Sequence, residues 1–182
     1  LDLTLQPVDN FDGFTMIEQY GLSALRYQLS YLQYALAMAQ YTRTPAFTGY
    51  LTEAQANAIE KMRDRRVWNY WSHENLIGYQ RWNPDPIVYH NVMYTGFFAA
   101  MLGLFESLND GRFSEPGALT LTWSDKQRFD YEFASVAEAV RRNMAASKHV
   151  MYPCEPRLIY PMCNAFAISG LLMHDRLHGS AL

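Results

Sequence analysis

The stretch MIEQYGLSALRYQLSYLQYALAMAQ, residues 16–40, sets Leu22, Leu25, Leu29, Leu32, Leu36 and Ala39 at steps of three and four, with few β-branched residues between them. That spacing draws an apolar stripe along one face of a helix, so the stretch predicts one long helix. Working outward, Thr52 with Gln55 forms a capping-box pattern ahead of Ala56, Ile59, Met62 and Val67, and predicts a second helix to about Trp71. Asp85-Pro86, an acidic cap followed by proline at the first helical position, opens a third. It continues through Met93, Phe97, Met101 and Leu104 and stops near Asn109-Asp110-Gly111. A fourth helix is expected over 130–146 and a fifth over 164–178, ended by Gly179. Only Ala118-Leu119-Thr120-Leu121-Thr122-Trp123 reads as extended, and it suits a lone strand or a plain linker.

The expected class is therefore all-α. Long helices joined by aromatic loops suggest stacked hairpins, which can close into an α/α toroid. A six-hairpin toroid needs about twelve helices, so this chain would supply about half of one. Its 182 residues, 49% hydrophobic and 15% aromatic, are enough for one core and too few for two domains, so residues 1–182 are read as part of a single domain. The net charge of -3 gives no electrostatic footprint for nucleic acid or an anionic membrane surface. The longest apolar run, about residues 95–105, falls short of a membrane span, and no targeting signal shows at Leu1-Asp2-Leu3-Thr4.

The chain's two cysteines stand close together, in Tyr152-Pro153-Cys154-Glu155-Pro156 and Pro161-Met162-Cys163-Asn164, between two expected helices. Thiol, acid and amide in one loop can move protons. A disulfide between them would close only a short loop, and the bland reading is a pair of small buried hydrophobes. Cys163 is expected just ahead of a helix whose free N–H groups favour a thiolate, with Asn164 as a cap of that helix.

Six blocks follow one another along the chain: Arg66-Val67-Trp68, Asn91-Val92-Met93-Tyr94-Thr95-Gly96, Met101-Leu102-Gly103-Leu104, Cys154-Glu155-Pro156, Cys163-Asn164 and Asp175-Arg176-Leu177-His178-Gly179. In order and spacing they resemble the linalool dehydratase-isomerase family, over roughly residues 27–179. The resemblance implies an α/α-barrel enzyme that works without cofactor or metal, dehydrates tertiary terpene alcohols and interconverts linalool with geraniol. It implies a homo-oligomer, with the other half of the barrel supplied by further chain or by a second polypeptide.

Carried over by position, Cys154 and Cys163 match the family's active-site cysteines, Glu155 the acid after the first, and Met93 and Tyr94 its pocket-lining block. Asp2 matches an upstream acid if a two-residue gap is allowed, with Asp9 and Asp12 as rivals. Cys163 is assigned to the substrate hydroxyl and Cys154 with Glu155 to a proton relay, roles that could be exchanged. The sequence departs from the family at Phe97, where the family carries histidine. Phenylalanine cannot move a proton, but its ring face can meet an allylic cation, which favours a prenyl-chain cyclase as a second reading. A terpenoid-binding protein without chemistry is a third.

Other signals have plainer readings. A two-carboxylate carbohydrate mechanism would need a mate for Glu155, and the sequence offers none. His174 and His178 have the spacing of helical zinc ligands, yet Asp175 stands where a glutamate belongs and no third ligand is evident. Trp68, Tyr70 and Trp71 are read as helix-packing residues, and Arg63, Arg65 and Arg66 as a solvated face.

Overall fold

The computed structural model describes residues 1–15 and 24–180, so the start of the first expected helix, at 16–23, lies outside the described residues. In chain order the elements are α1 (Leu25–Arg43), α2 (Thr52–Met62), α3 (Arg65–Trp68), α4 (Tyr70–Tyr79), α5 (Val92–Leu108), β1 (Leu119–Ser124), β2 (Gln127–Tyr131), α6 (Phe133–Ala146) and α7 (Pro161–His178). The all-α expectation is corrected by the two strands. Residues 118–123 are neither a lone strand nor a linker, because β1 pairs antiparallel with β2, Leu119 opposite Tyr131 and Leu121 opposite Phe129. Leu119 and Leu121 turn inward and are buried.

Helix α5 is the centre. Met93, Tyr94, Phe97, Phe98, Met101, Leu102 and Phe105 cover one half of its circumference and Gly96, Ala99, Ala100 and Gly103 the other, and all are buried, as a helix apolar on every side must be. α1, α2, α6 and α7 pack around it. The contact with α7 depends on small residues: a Cβ at Gly170 would lie 2.7 Å from the Ala99 Cβ and 2.8 Å from the Ala99 carbonyl carbon, and one at Gly96 would lie 2.9 Å from the Ala167 Cβ. Glycine at these positions lets two backbones approach where any side chain would hold them apart.

Several helix boundaries differ from the sequence expectation for local reasons. The second expected helix breaks at Arg63 and Asp64, where the Asp64 side chain accepts from the Arg66 N–H and starts α3 afresh. Thr52 and Gln55 form no capping box, since Thr52 donates to Asn109 Oδ1 at 2.8 Å and Gln55 to Gln40 Oε1 at 2.7 Å. Asp85 caps only a turn: its Oδ1 accepts from Ile87 N–H at 2.8 Å, and the chain then bends through His90 and Asn91, both at positive φ, before α5 begins at Val92. The α1 stripe is also rotated from the leucine face. Leu25 and Leu29 are buried, but the rest of the inner face is Arg26, Ser30, Gln33, Ala37 and Gln40, while Ala39 is exposed. Gln33 donates to Gln55 and Gln55 to Gln40 in a chain of hydrogen bonds between α1 and α2 that leaves the buried Gln33 Oε1 without a partner among the described residues.

Arg65 and Arg66 are exposed, as expected of a solvated face, and Arg63 is half-buried; all three also act as fasteners. Arg63 donates to Thr120 O, Arg65 to Trp123 O, and Arg66 to Asp9 O, tying the hairpin and residues 1–15 to α2 and α3. Lys61, fully buried, completes the fastening by donating to Pro7 O and Asn10 O, both at 2.6 Å. Trp68 and Trp71 are buried in the core, Trp68 against Trp123 of the hairpin.

Candidate active site

The cysteine segment is a tight turn docked on the starts of α5 and α7. Cys154 N–H donates to Leu158 O at 2.9 Å and Leu158 N–H returns to Glu155 O at 3.0 Å, with Arg157 at positive φ closing the turn. Val92 N–H, the first of α5, donates to Pro153 O. Pro161 then opens α7 three residues earlier than the sequence suggested, at a position where no N–H is needed. Cys163 therefore sits in the first turn of α7 rather than ahead of it. Asn164 is not the cap: it is buried inside the helix, accepts from Tyr152 N–H at 3.0 Å and donates to Tyr152 O at 3.1 Å and Tyr160 O at 3.0 Å. One amide thus locks both arms of the loop.

This geometry brings the two cysteines together as free thiols, close enough that each is the first influence on the other's acidity. Cys154 is buried and Cys163 half-buried. The two are driven apart in acidity. Donation from the Cys154 thiol, the charge of Arg26 and its own backbone N–H favour the thiolate at Cys163, outweighing burial, and hold it below the ordinary thiol range. Its role as donor to Cys163, together with burial, pushes the Cys154 thiol up.

Arg26 reaches this site from α1, fully buried, with its guanidinium 4.0 Å from the centre of the Tyr70 ring and 4.5 Å from that of Tyr27. Its Nη2 donates to the Met93 sulfur at 3.3 Å. Burial pushes the Tyr27 hydroxyl up to about 12, against the pull of Arg26, and the charges it feels include both cysteines. It therefore stays protonated near neutrality. The Tyr152 hydroxyl, 2.6 Å from Thr95 Oγ1, also neighbours both sulfurs, and burial raises it as well.

Of the residues singled out in the sequence, Cys154, Cys163, Glu155 and Met93 gather here. Phe97 lies one turn beyond Met93 on the same face of α5, its ring 5.2 Å from Tyr27 and 4.4 Å from Phe166. Tyr94 points elsewhere: it donates to Met62 O at 2.8 Å and packs on Phe98 in the core. Asp2 is exposed in a turn whose neighbouring carbonyls, at Thr4 and Gln6, are held by Asn57 of α2. Asp9 and Asp12 are exposed as well. Sequence reasoning missed Arg26, Tyr27 and Tyr152 as site residues. Arg26 and Tyr27 did interrupt the leucine stripe at its inner edge, which was the one visible sign.

The histidine pair at the end of α7 has other partners. His174 Nδ1 meets Ser180 Oγ at 3.2 Å, and His178 Nε2 meets Glu106 Oε1 at 3.2 Å. Among the described residues no three of His, Cys, Asp and Glu gather to hold a metal ion, and no helix is long and apolar enough to cross a membrane. The blocks that converge on the thiol pair are spread from α1 to α7, and the profile of the family described as linalool dehydratase/isomerase covers that same span, residues 26–182, so the chain belongs to that family.

Proposed function

We propose that the Cys154–Cys163 pair carries out acid–base dehydration or allylic rearrangement of an isoprenoid alcohol such as linalool, without a cofactor. The observation that carries this reading is that two free cysteines, Cys154 of the tight turn and Cys163 of the first turn of α7, come together beside Arg26. Two sulfurs holding one proton are an acid and a base in one device. Cys154 gives its proton to the leaving hydroxyl, the C–O bond breaks and water departs. Cys163, as thiolate, takes a proton from the adjacent carbon, and an alkene forms. That proton then passes from Cys163 to the neighbouring Cys154 sulfur and the pair is restored. In the rearrangement, water adds back at the other end of the allyl system and the proton movements reverse. These roles exchange those expected from sequence, because Arg26 and the helix start favour the charge at Cys163 rather than Cys154.

The rings of Phe97, Tyr27, Tyr31 and Phe166 form a cluster whose faces suit a developing cation, which keeps a prenyl-chain cyclase as the second reading. On the first reading the helices belong to one α/α-toroid catalytic domain that works as a homo-oligomer. The apolar side chains left exposed on α1 and α7, among them Tyr31, Met38, Tyr41, Met162 and Leu172, support a neighbour against that face. Incubating the protein with a panel of terpene alcohols and analysing the volatiles tests the function. Loss of water or allylic transposition, abolished by Cys163→Ala, is the expected result. Cyclic products would favour the cyclase, and ligand held unchanged would leave only a binding protein.

A further inference from the structure

The turn that carries Cys154 is gripped from outside by the end of α4. Tyr79, the last residue of that helix, places its hydroxyl between two residues held in the left-handed region, Arg157 at φ 68° and His90 at φ 51°. On one side the hydroxyl oxygen accepts from the Arg157 N–H at 3.2 Å; on the other it meets His90 Nδ1 at 2.8 Å. His90 is itself fixed: its ring stacks on that of Tyr89 at 3.9 Å, and its N–H donates to Asn143 Oδ1 of α6 at 2.8 Å. Gly78, next to Tyr79, is pressed so closely on Pro156 that no side chain fits there. Pro156 and Arg157 form the tip of the turn that the Cys154 N–H closes on Leu158 O. The helix end thus holds the turn by contact at one residue and by hydrogen bond at the next.

We propose that Tyr79 and His90 are positioning residues of this site: the Tyr79 hydroxyl, oriented by His90, fixes the turn at Arg157 and so sets where the Cys154 sulfur stands against Cys163. A phenol O–H lies near the plane of its ring, with its proton on one side and a lone pair on the other. Neutral His90 accepts the proton at Nδ1, which leaves the lone pair facing the Arg157 N–H. Burial of His90 favours that neutral form. A non-glycine residue at positive φ is strained and keeps that shape only where its surroundings hold it. At Arg157, whose side chain is exposed, the backbone is held by the Tyr79 hydroxyl at its N–H and by the pairing of Cys154 with Leu158. Loss of the first leaves the second to set the turn alone. Tyr79 and His90 touch no reacting atom on this account and act through Cys154. The inference rests on the reading of Cys154 as the acid that protonates the leaving hydroxyl.

The test uses the full chain, with iodoacetamide labelling of Cys154 and turnover of linalool as separate readouts. Tyr79→Phe keeps the ring and removes the hydroxyl. Labelling of the buried Cys154 should then speed by about two- to tenfold relative to Cys163, the change in local opening that follows loss of one ordinary hydrogen bond. The kcat should fall about tenfold or more with KM unchanged, because a misplaced acid weakens the transition state and not substrate binding. His90→Ala should reproduce both effects, and combining it with Tyr79→Phe should add little, since the two residues act as a unit. His90→Asn, which tolerates the left-handed backbone and sets an amide oxygen near the place of Nδ1, should restore both readouts. A merely structural pair would lower the melting temperature, raise labelling of both cysteines together and leave kcat in place, and that result overturns the proposal. Additive effects of the two substitutions overturn it as well. Failure of the unaltered protein to convert linalool, with the Cys154 labelling response present, would sink the proposed reaction and leave the hold on the turn standing.

Discussion

The Cys154 and Cys163 thiols are neighbours, both free, and their surroundings push their acidities in opposite directions. A thiol held below its ordinary range stabilises the fold above its unfolded pKa, and that contribution is lost as pH falls through the folded value. Near neutrality Cys163 should therefore alkylate faster than Cys154. Cys154→Ala removes the donor that contributes most to the Cys163 thiolate, so alkylation at Cys163 should slow by roughly tenfold for each unit its pKa rises. Mass spectrometry of the labelled peptides reads this directly, and preferential labelling of Cys154 would reverse the assignment of acid and base.

Asn164 holds both arms of the cysteine loop through Tyr152 and Tyr160. Asn164→Ala strands a buried N–H and a buried carbonyl at Tyr152, at a cost of about 1–3 kcal/mol each. Turnover should fall further than stability, because the loop that aligns the sulfurs loosens while the α5–α7 contact stays in place. Equal, proportionate losses in a denaturation curve and in kcat would show that Asn164 only supports the core.

Phe97 is buried among Tyr27, Tyr31 and Phe166. Phe97→Ala should destabilise by about 3–5 kcal/mol through the cavity it leaves. Phe97→His places an imidazole against the Tyr27 and Phe166 rings, and burial among rings favours its neutral form. The expected outcome is an altered ratio of dehydrated to rearranged product, read by chromatography of the volatiles. A lower Tm with an unchanged ratio confines Phe97 to packing.

Met38 and Leu172 are 54% and 53% exposed on α1 and α7, where they line one open groove of about 430 Å³ with Tyr34, Phe166 and Met173. If this face is covered in a homo-oligomer, sedimentation velocity of the 182-residue chain should show a concentration-dependent assembly. Met38→Glu with Leu172→Glu should leave the monomer folded and abolish it. A monomer at every concentration, for the unaltered chain, removes the argument for the oligomer.

The helical character of α1, α5, α6 and α7 was legible in the sequence because local spacing of apolar residues is a property of the chain itself. So was the αL glycine at 179 that ends α7. The order of the short blocks was legible too, and with it the family and the two cysteines. What the sequence could not set was where one segment meets another. Asp85-Pro86 carried a sound start signal, yet tertiary contacts delayed α5 to Val92: Asn91 is held at positive φ while its amide donates to Pro86 O and accepts from Tyr70. The polar inner face of α1 became readable only once α2 supplied Gln55 as a partner for Gln33 and Gln40. Tyr94 followed the same block as Met93 but points off the Met93 face of α5 and into the core, since neighbours on a helix diverge by about 100°. Arg26 is far from the cysteines in sequence and its charge acts directly on Cys163 in space. A proton's position depends on burial and nearby charge, and both are made by packing, so the acidity of the thiol pair was decided by tertiary structure alone.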